Sequence, residues 1–389
     1  MKILLVRTSA GHISVTGVNS YNLQEIGLAR ALNQKGHKCD VVYFGGKESE
    51  TVSIEYDDQG NTFNVFYLKA RDVFHDSWYF GINQLAEQYD IIHSGGYDTI
   101  QSWRFAKKFP QKLVIYNGTY YSDFNKNYNK KCSVIDKIFV PRYKKYNITF
   151  DTKSKLSEDF LRQKGLMDVT SVGVGVDLST IEYNADANNP FISQIHTLKD
   201  EGFRLMLYVG RIEPRRNIHF LFDVLKRINE SDNKVKLVVI GNKGPAEYQD
   251  TVWEYAKDNN LMNYIVYQPF LDQKHLKYVY ETCDVFLLPT FYDIFGMVLL
   301  EAMYYGMTVV SSNCGGACML IENGISGYVI DNFDVDIWKK YITDVLGNPK
   351  KSKQIGQSAH KVISEQYTWD AIADKMLDIF ERKLNVNPQ

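Results

Sequence analysis

The sequence predicts an α/β protein of two domains, each with short strands alternating with helices. Three observations carry this. A chain of 389 residues is too long for one ordinary core. Short apolar runs of strand type alternate with helix-periodic segments from the amino terminus onward. Near residue 290 a strand, a tight loop and a helix follow one another, and two carboxylates stand around that loop.

Composition narrows the class. The apolar and charged fractions, 44% and 23%, are those of a soluble globular protein, and 27 Tyr and 21 Phe make it rich in aromatics. A formal net charge of -1 gives no global field for nucleic acid, and no nucleic-acid partner is expected. The opening apolar run breaks at Arg7, too early for a signal peptide, and no stretch approaches the roughly 20 apolar residues of a membrane span. A cytoplasmic protein is expected. Cys39, Cys132, Cys283, Cys314 and Cys318 are scattered and odd in number, which fits reduced thiols, and Cys314 and Cys318 lack common zinc-site spacing.

Lys2 to Val6 reads as a buried strand, Gln24 to Lys35 as a helix ended by Gly36, and Cys39 to Phe44 as a second strand. The loop between the first strand and helix carries Gly11 and Gly17 but no G-x-G-x-x-G, which disfavours a dinucleotide dehydrogenase. Further strands are expected at Asn64 to Leu68, Ile91 to His93, Leu113 to Tyr116 and Asn147 to Phe150. The third of these ends in a turn at Asn117-Gly118, where ligand groups collect in open α/β sheets. From Lys126 to Tyr146 seven cations stand among aromatic and aliphatic residues, with Asp136 alone opposing them. That stretch is either a solvated basic face or a dock for an anionic membrane surface.

Asn184 to Gly202 is polar, contains Asn188-Asn189-Pro190, and reads as the connection between domains. The second domain opens with a strand at Phe203 to Val209, followed by Gly210-Arg211 and Arg215-Arg216 before a helix to about Ile228. Two cationic side chains at a strand's carboxyl end suit a phosphate. Lys236 to Ile240 and Ile265 to Phe270 are further strands, and a helix runs to Thr282. Asp334-Val-Asp336 precedes a helix and reads as acidic residues favouring its amino terminus, not as a metal motif. Trp369 to Leu384 is amphipathic through Ile372, Met376, Ile379 and Phe380 and needs an apolar surface.

Asp284 to Leu288 is the strand before the central loop, and Leu299 to Tyr305 the helix after it. Phe295-Gly296-Met297-Val298 presents backbone N–H groups at a helix amino terminus, where an anion such as a phosphate is a natural guest. Asp293 lies just outside the loop. Glu301 shares a helix face with Met297 and leans toward the amino terminus, so both carboxylates can accept hydrogen bonds from hydroxyls of one ligand. Phosphate in the middle and hydroxyls at both ends describe a nucleotide sugar.

Residues 290–306 resemble the E-x7-E signature of retaining glycosyltransferases of family four, with Asp293 in place of the first Glu. The resemblance continues through Gly315-Gly316, Glu322-Asn-Gly324 and Gly327-Tyr-Val, and through Gly210-Arg211 with Arg216 where relatives carry Lys. It implies the GT-B fold, with two Rossmann-like domains facing across a cleft. The expected boundaries are 1–183 for an acceptor-side domain, 184–367 for a nucleotide-sugar domain, and 368–389 for a helix returning to the first. It also implies transfer of a hexose, with UDP-sugar the favoured donor, to a hydroxyl acceptor such as a lipid-linked glycan of surface polysaccharide.

In that reading Arg211 and Arg216 stabilise charge on the departing diphosphate, Asp293 holds the transferred sugar, and Glu301 the ribose. Gly17 faces the donor or is a turn glycine. Asn117 stands where relatives often carry His and offers a hydrogen bond but no base. Phe270 is a guess for the base contact. No cofactor or metal is expected. A nucleotide-sugar epimerase, a glycan phosphorylase and a degenerate binding subunit are the alternatives, the last suggested by Asn117, Asp293 and by Met319 where relatives often have Glu.

Overall fold

The computed structural model describes residues 1–15, 23–178, 188–231 and 234–386. Among these the chain forms two compact units, Met1–Asp177 with Tyr367–Gln389, and Leu178–Gln366. Each is a Rossmann-like α/β domain built on its own sheet. The first division falls at 177/178 instead of 183/184.

In the first unit the strands are β1 (Lys2–Val6), β2 (Lys38–Gly46), β3 (Glu50–Glu55), β4 (Thr62–Val73), β5 (Asp76–Tyr79), β6 (Ile91–Gly95), β7 (Leu113–Asn117), β8 (Thr149–Thr152) and β9 (Val169–Ser171). Their order is β3-β4-β2-β1-β6-β7-β8-β9, with β5 pairing β4. β2 through β9 in that order pair in parallel, while β3 and β5 run antiparallel to β4. Central strands such as β1 and β7 are apolar almost throughout because helices cover both faces of a parallel sheet. Each fully buried aliphatic side chain contributes about 1.5–3 kcal/mol.

The last helix, Trp369–Val386, packs on the first unit. Ile372, Met376, Ile379 and Phe380 are buried, and Lys35 pairs with Asp370 and Asp374 at 2.8 Å each. Two glycines make room for the returning chain. A Cβ on Gly27 would meet the Trp369 ring at 2.3 Å, and one on Gly175 the Trp369 backbone at 2.7 Å.

The second unit holds β10 (Arg204–Val209), β11 (Val235–Ile240), β12 (Ile265–Gln268), β13 (Val285–Leu288), β14 (Val309–Ser312) and β15 (Tyr328–Ile330). All are parallel, in the order β12-β11-β10-β13-β14-β15. The order reverses between β10 and β13, which is where open α/β sheets bind ligands, outside the carboxyl ends of the strands.

The stretch expected to be a polar connection contains a helix, Pro190–Asp200. Asn189 caps it, accepting a hydrogen bond from the Phe191 N–H at 2.9 Å, and Pro190 fills the first helical position. Asn-Pro is here a helix start and not a break. Phe191, Ile192 and Ile195 bury one face.

Asp334 caps the helix Val335–Gly347, accepting from the N–H groups of Asp336 and Ile337, and Asp336 pairs with Arg227 at 2.7 Å. Among the described residues no cluster of three or more acidic, His or Cys side chains is arranged to hold a metal, and no helix is long and apolar enough to cross a membrane.

Candidate functional site

Two loops meet at the switch point of the second sheet. The one after β10 carries Arg211, Glu213, Arg215 and Arg216; the one after β13 carries Thr290 to Gly296. Backbone and side chain lock them together. The Arg215 carbonyl accepts from the Phe291 N–H at 2.8 Å and the Thr290 hydroxyl at 2.9 Å, and the Arg215 guanidinium donates to the Tyr292 carbonyl at 3.0 Å. Asp293 is thereby set against the cations of the first loop.

Arg216 donates from Nη1 to Asp293 Oδ2. Arg215 lies 3.9 Å from the same carboxylate and 2.7 Å from Glu213. Burial works against the charge on Arg216, but the Asp293 carboxylate together with Tyr208 and Glu213 outweighs it and holds the guanidinium pKa above its ordinary value. The Nε–H of Arg216 is buried and makes no hydrogen bond within the described protein. Such a donor suits an anionic oxygen. Arg211 differs, being 59% exposed at its side chain and only 3.8 Å from Glu213, so it stands at the rim.

A third loop sets the shape. The Gly315 N–H donates to the Asp293 carbonyl at 3.1 Å. A Cβ on Gly315 would lie 2.0 Å from the Ile294 oxygen, and one on Gly316 1.9 Å from the Phe295 oxygen. Only residues without side chains allow this approach. Ser312 adds a hydrogen bond to the Thr290 carbonyl at 2.6 Å.

Gly296, at φ 85°, adopts the left-handed conformation that opens the helix Met297–Tyr304 and gives the first turn no side-chain cap. Phe295 is buried beneath it, while Met297 and Val298 are half-exposed. Glu301 sits one turn along at 3% exposure, and Tyr280 donates to its carboxylate at 3.0 Å. Burial pushes its pKa up to about 7, against hydrogen bonds from Tyr280 and Gln273 that pull it down. Phe270 follows β12 and is 58% exposed.

Of the residues singled out in the sequence, Arg216, Asp293, Phe295, Gly296, Met297, Val298 and Glu301 lie on the β10 and β13 loops and the helix they open. Asn117 is in the first unit. It is fully buried, and its amide bonds the Thr119 carbonyl, the Ser157 hydroxyl and the Tyr97 N–H, so it ties down the β7 turn. Gly17 lies outside the described residues. Sequence reasoning passed over Arg215 and Tyr280. Adjacent arginines in one turn were the signal for the first. The second had none, because Tyr280 reaches Glu301 from another helix.

A model of the family described as glycosyl transferases group 1 matches residues 192–362. An uncharacterized glycosyltransferase of Methanocaldococcus jannaschii is 23% identical over 384 residues, covering 91% of this chain and 92% of that one. The O-antigen chain mannosyltransferase B of Escherichia coli is 26% identical over 191 residues, covering 49% and 48%. The chain spans about half the length of that relative and of several others it matches. The crystal structure of Anabaena HepE in complex with UDP has a TM-score of 0.71 at 17% identity, covering 98% of this chain and all of that one.

Proposed function

We propose that this chain, whose residues 192–362 match the glycosyl transferases group 1 family, is a glycosyltransferase that moves a sugar with retention from a UDP-sugar to a hydroxyl of a glycan acceptor. The observation that carries this reading is the buried Nε–H of Arg216, which makes no hydrogen bond and stands 3.9 Å from Glu213, beside the Asp293 carboxylate on loops at the switch point of a parallel sheet. An anion and a hydroxyl-bearing group find complementary partners there.

The diphosphate lies against Arg216 and the amino terminus at Gly296, with Arg211 reaching in from the rim. Asp293 accepts hydrogen bonds from hydroxyls of the transferred sugar, and Glu301 from the ribose. The bond between the anomeric carbon and the diphosphate oxygen breaks, and positive charge beside that oxygen stabilises the developing anion. The acceptor oxygen bonds to the anomeric carbon on the same face, and its proton passes to the departing diphosphate. No protein base is needed.

The similar structure bound to UDP makes uridine the first base to try, and the O-antigen chain mannosyltransferase relative makes a growing polysaccharide the first acceptor to try. The purified chain is incubated with a panel of nucleotide sugars, and free sugar and nucleotide are read by mass. Slow hydrolysis of one donor, lost in Arg216→Met and with its sugar selectivity lost in Asp293→Ala, is expected. Epimerised donor without acceptor, or no turnover of any donor, would overturn the proposal.

A further inference from the structure

The first unit has an unusual projection. β4 pairs with β2 as far as Lys69, then runs on through Ala70 to Val73 beside β5 as a two-stranded arm. A two-residue turn, Phe74-His75, closes it. Both residues have positive φ, 55° and 68°, where glycine or asparagine is the usual choice. Phe74 is also 89% exposed. The turn therefore keeps a large apolar ring in a disfavoured backbone conformation, and the fold buries almost none of it.

The arm is anchored at the carboxyl edge of the first sheet, the ligand edge of such sheets. The Ala10 N–H donates to the His75 carbonyl at 2.8 Å, the Ser77 N–H to the Thr8 carbonyl at 2.7 Å, and the Ile100 N–H to the Asp76 carboxylate at 3.0 Å. Strand alternation then sends Ser77 and Tyr79 inward and Trp78 outward, with Phe80 exposed beyond the strand. The Arg104 guanidinium lies 4.0 Å from the Trp78 ring centre, and Arg71 lies 5.7 Å from that of Phe80. Asp72 is exposed next to the tip and accepts the His75 N–H at 2.8 Å.

We propose that this arm is a carbohydrate-binding site that holds sugars of an oligosaccharide acceptor away from the reacting hydroxyl. It rests on the transferase reading for its role, since it names the substrate class of that reaction. A pyranose presents C–H faces that pack on aromatic rings and a rim of hydroxyls that pair with carboxylates and guanidinium groups. Phe74, Trp78 and Phe80 supply the first kind of partner; Asp72 and Arg71 supply the second, while Arg104 is engaged by the Trp78 ring and Gln101. Asp72 beside Phe74 also decides against a lipid surface, because an anionic leaflet repels a carboxylate at the point of insertion. The tight turn fixes the backbone that carries the ring, so little backbone freedom is lost on binding.

The full chain is titrated with maltohexaose, cellohexaose, mannohexaose and a hexuronate hexasaccharide, followed by the heat of binding. At least one binds, and Phe74→Gly and Trp78→Ala each weaken it tenfold or more. Phe74→Gly melts no lower than the wild type, because glycine relieves the turn, so its loss of binding is not a loss of fold. Donor hydrolysis is unchanged in both variants. No binding by the wild type, equal binding by the variants, or loss of phosphatidylglycerol-vesicle binding in place of glycan binding each overturns the arm's role. Failure of donor hydrolysis in a chain that still binds glycan through Phe74 overturns the transferase reading alone.

Discussion

Arg216 and Asp293 stand 77 positions apart in the chain and share a hydrogen bond at the switch point of the second sheet. Their side chains are only 12% and 13% exposed, so removing either leaves the other with only a distant ion-pair partner, Arg215 for Asp293 and Glu213 for Arg216, each 3.9 Å away. Arg216→Met and Asp293→Asn should each destabilise the chain by about 2 kcal/mol, less than the roughly 3–5 kcal/mol that breaking an isolated buried pair costs, because a second partner remains. The double variant should lose less than the sum, because neither charge is then stranded. Urea denaturation of the four proteins measures this; strict additivity would show that the contact carries no coupling. Donor affinity should fall in both proteins lacking Arg216.

Glu301 predicts a pH dependence. Its carboxyl is raised from 4.5 to about 7 by burial, so between those values the unfolded chain binds fewer protons than the folded one. Stability is therefore full below about pH 4.5 and is lost as pH rises through 7, by roughly 3 kcal/mol for a shift of two to three units. Glu301→Gln should remove that slope and be the more stable protein at pH 8. In the proposed site ribose hydroxyls would donate to the ionised form, so the donor should bind more tightly at pH 8 than at pH 6 in the wild type and equally at both in Glu301→Gln. Parallel pH profiles for the two proteins would remove Glu301 from the nucleotide site.

Gly316 has an ordinary φ of -87°, so its identity is set by space and not by backbone conformation. In Gly316→Ala the new methyl would meet the Phe295 oxygen at 1.9 Å, and the loop holding Asp293 must shift. Donor hydrolysis should drop at least tenfold, as displacements of this size do to positioned groups, while thermal stability falls by a few degrees. Wild-type turnover in this variant would show that the loop's position is unimportant.

Much of this site was legible because one local unit carries it. A strand of type Val285–Leu288, a left-handed glycine and an apolar helix follow each other within 20 residues, so periodicity and turn chemistry place Asp293, Gly296 and Glu301 together. What was not legible depends on distant chain. Tyr280 meets Glu301 from another helix, and the closeness of Gly316 to Phe295 is a fact of packing. The arm at Phe74 was missed for a different reason: Asn64 to Leu68 shows strand alternation, but its extension to Val73 has no glycine or asparagine to announce the turn. The helix Pro190–Asp200 was hidden by Asn-Pro, which punctuates a loop and a helix start alike.

In the proposed site, arginine at the diphosphate would supply the positive charge that a divalent metal provides elsewhere. Donor hydrolysis should persist in EDTA and gain less than twofold from magnesium or manganese. Abolition by EDTA with recovery on adding manganese would require a metal site that Asp334, occupied as a helix cap, does not offer.

The last prediction concerns the helix Lys126–Lys145. Cys132, Phe139, Val140 and Tyr143 bury one face. Lys126, Lys130, Lys137, Lys144 and Lys145 stay exposed around Val134 and Ile138, which are 61% and 54% exposed one turn apart. Two neighbouring charges are already matched: Asp136 pairs with Lys164, and Lys131 with Asp98. The remaining lysines frame an apolar pair, the composition of a helix that lies on an anionic lipid surface. Each such cation contributes about 1 kcal/mol near that surface and loses it as salt screens the attraction. Vesicles containing phosphatidylglycerol should therefore bind the chain at low salt and release it at high salt. Replacing Lys130, Lys137, Lys144 and Lys145 with Ser should weaken binding at least tenfold, with donor hydrolysis intact because Arg216 and Asp293 lie in the other unit. A wild-type chain that ignores these vesicles at low salt would make the lysine face merely solvated and the acceptor a soluble glycan.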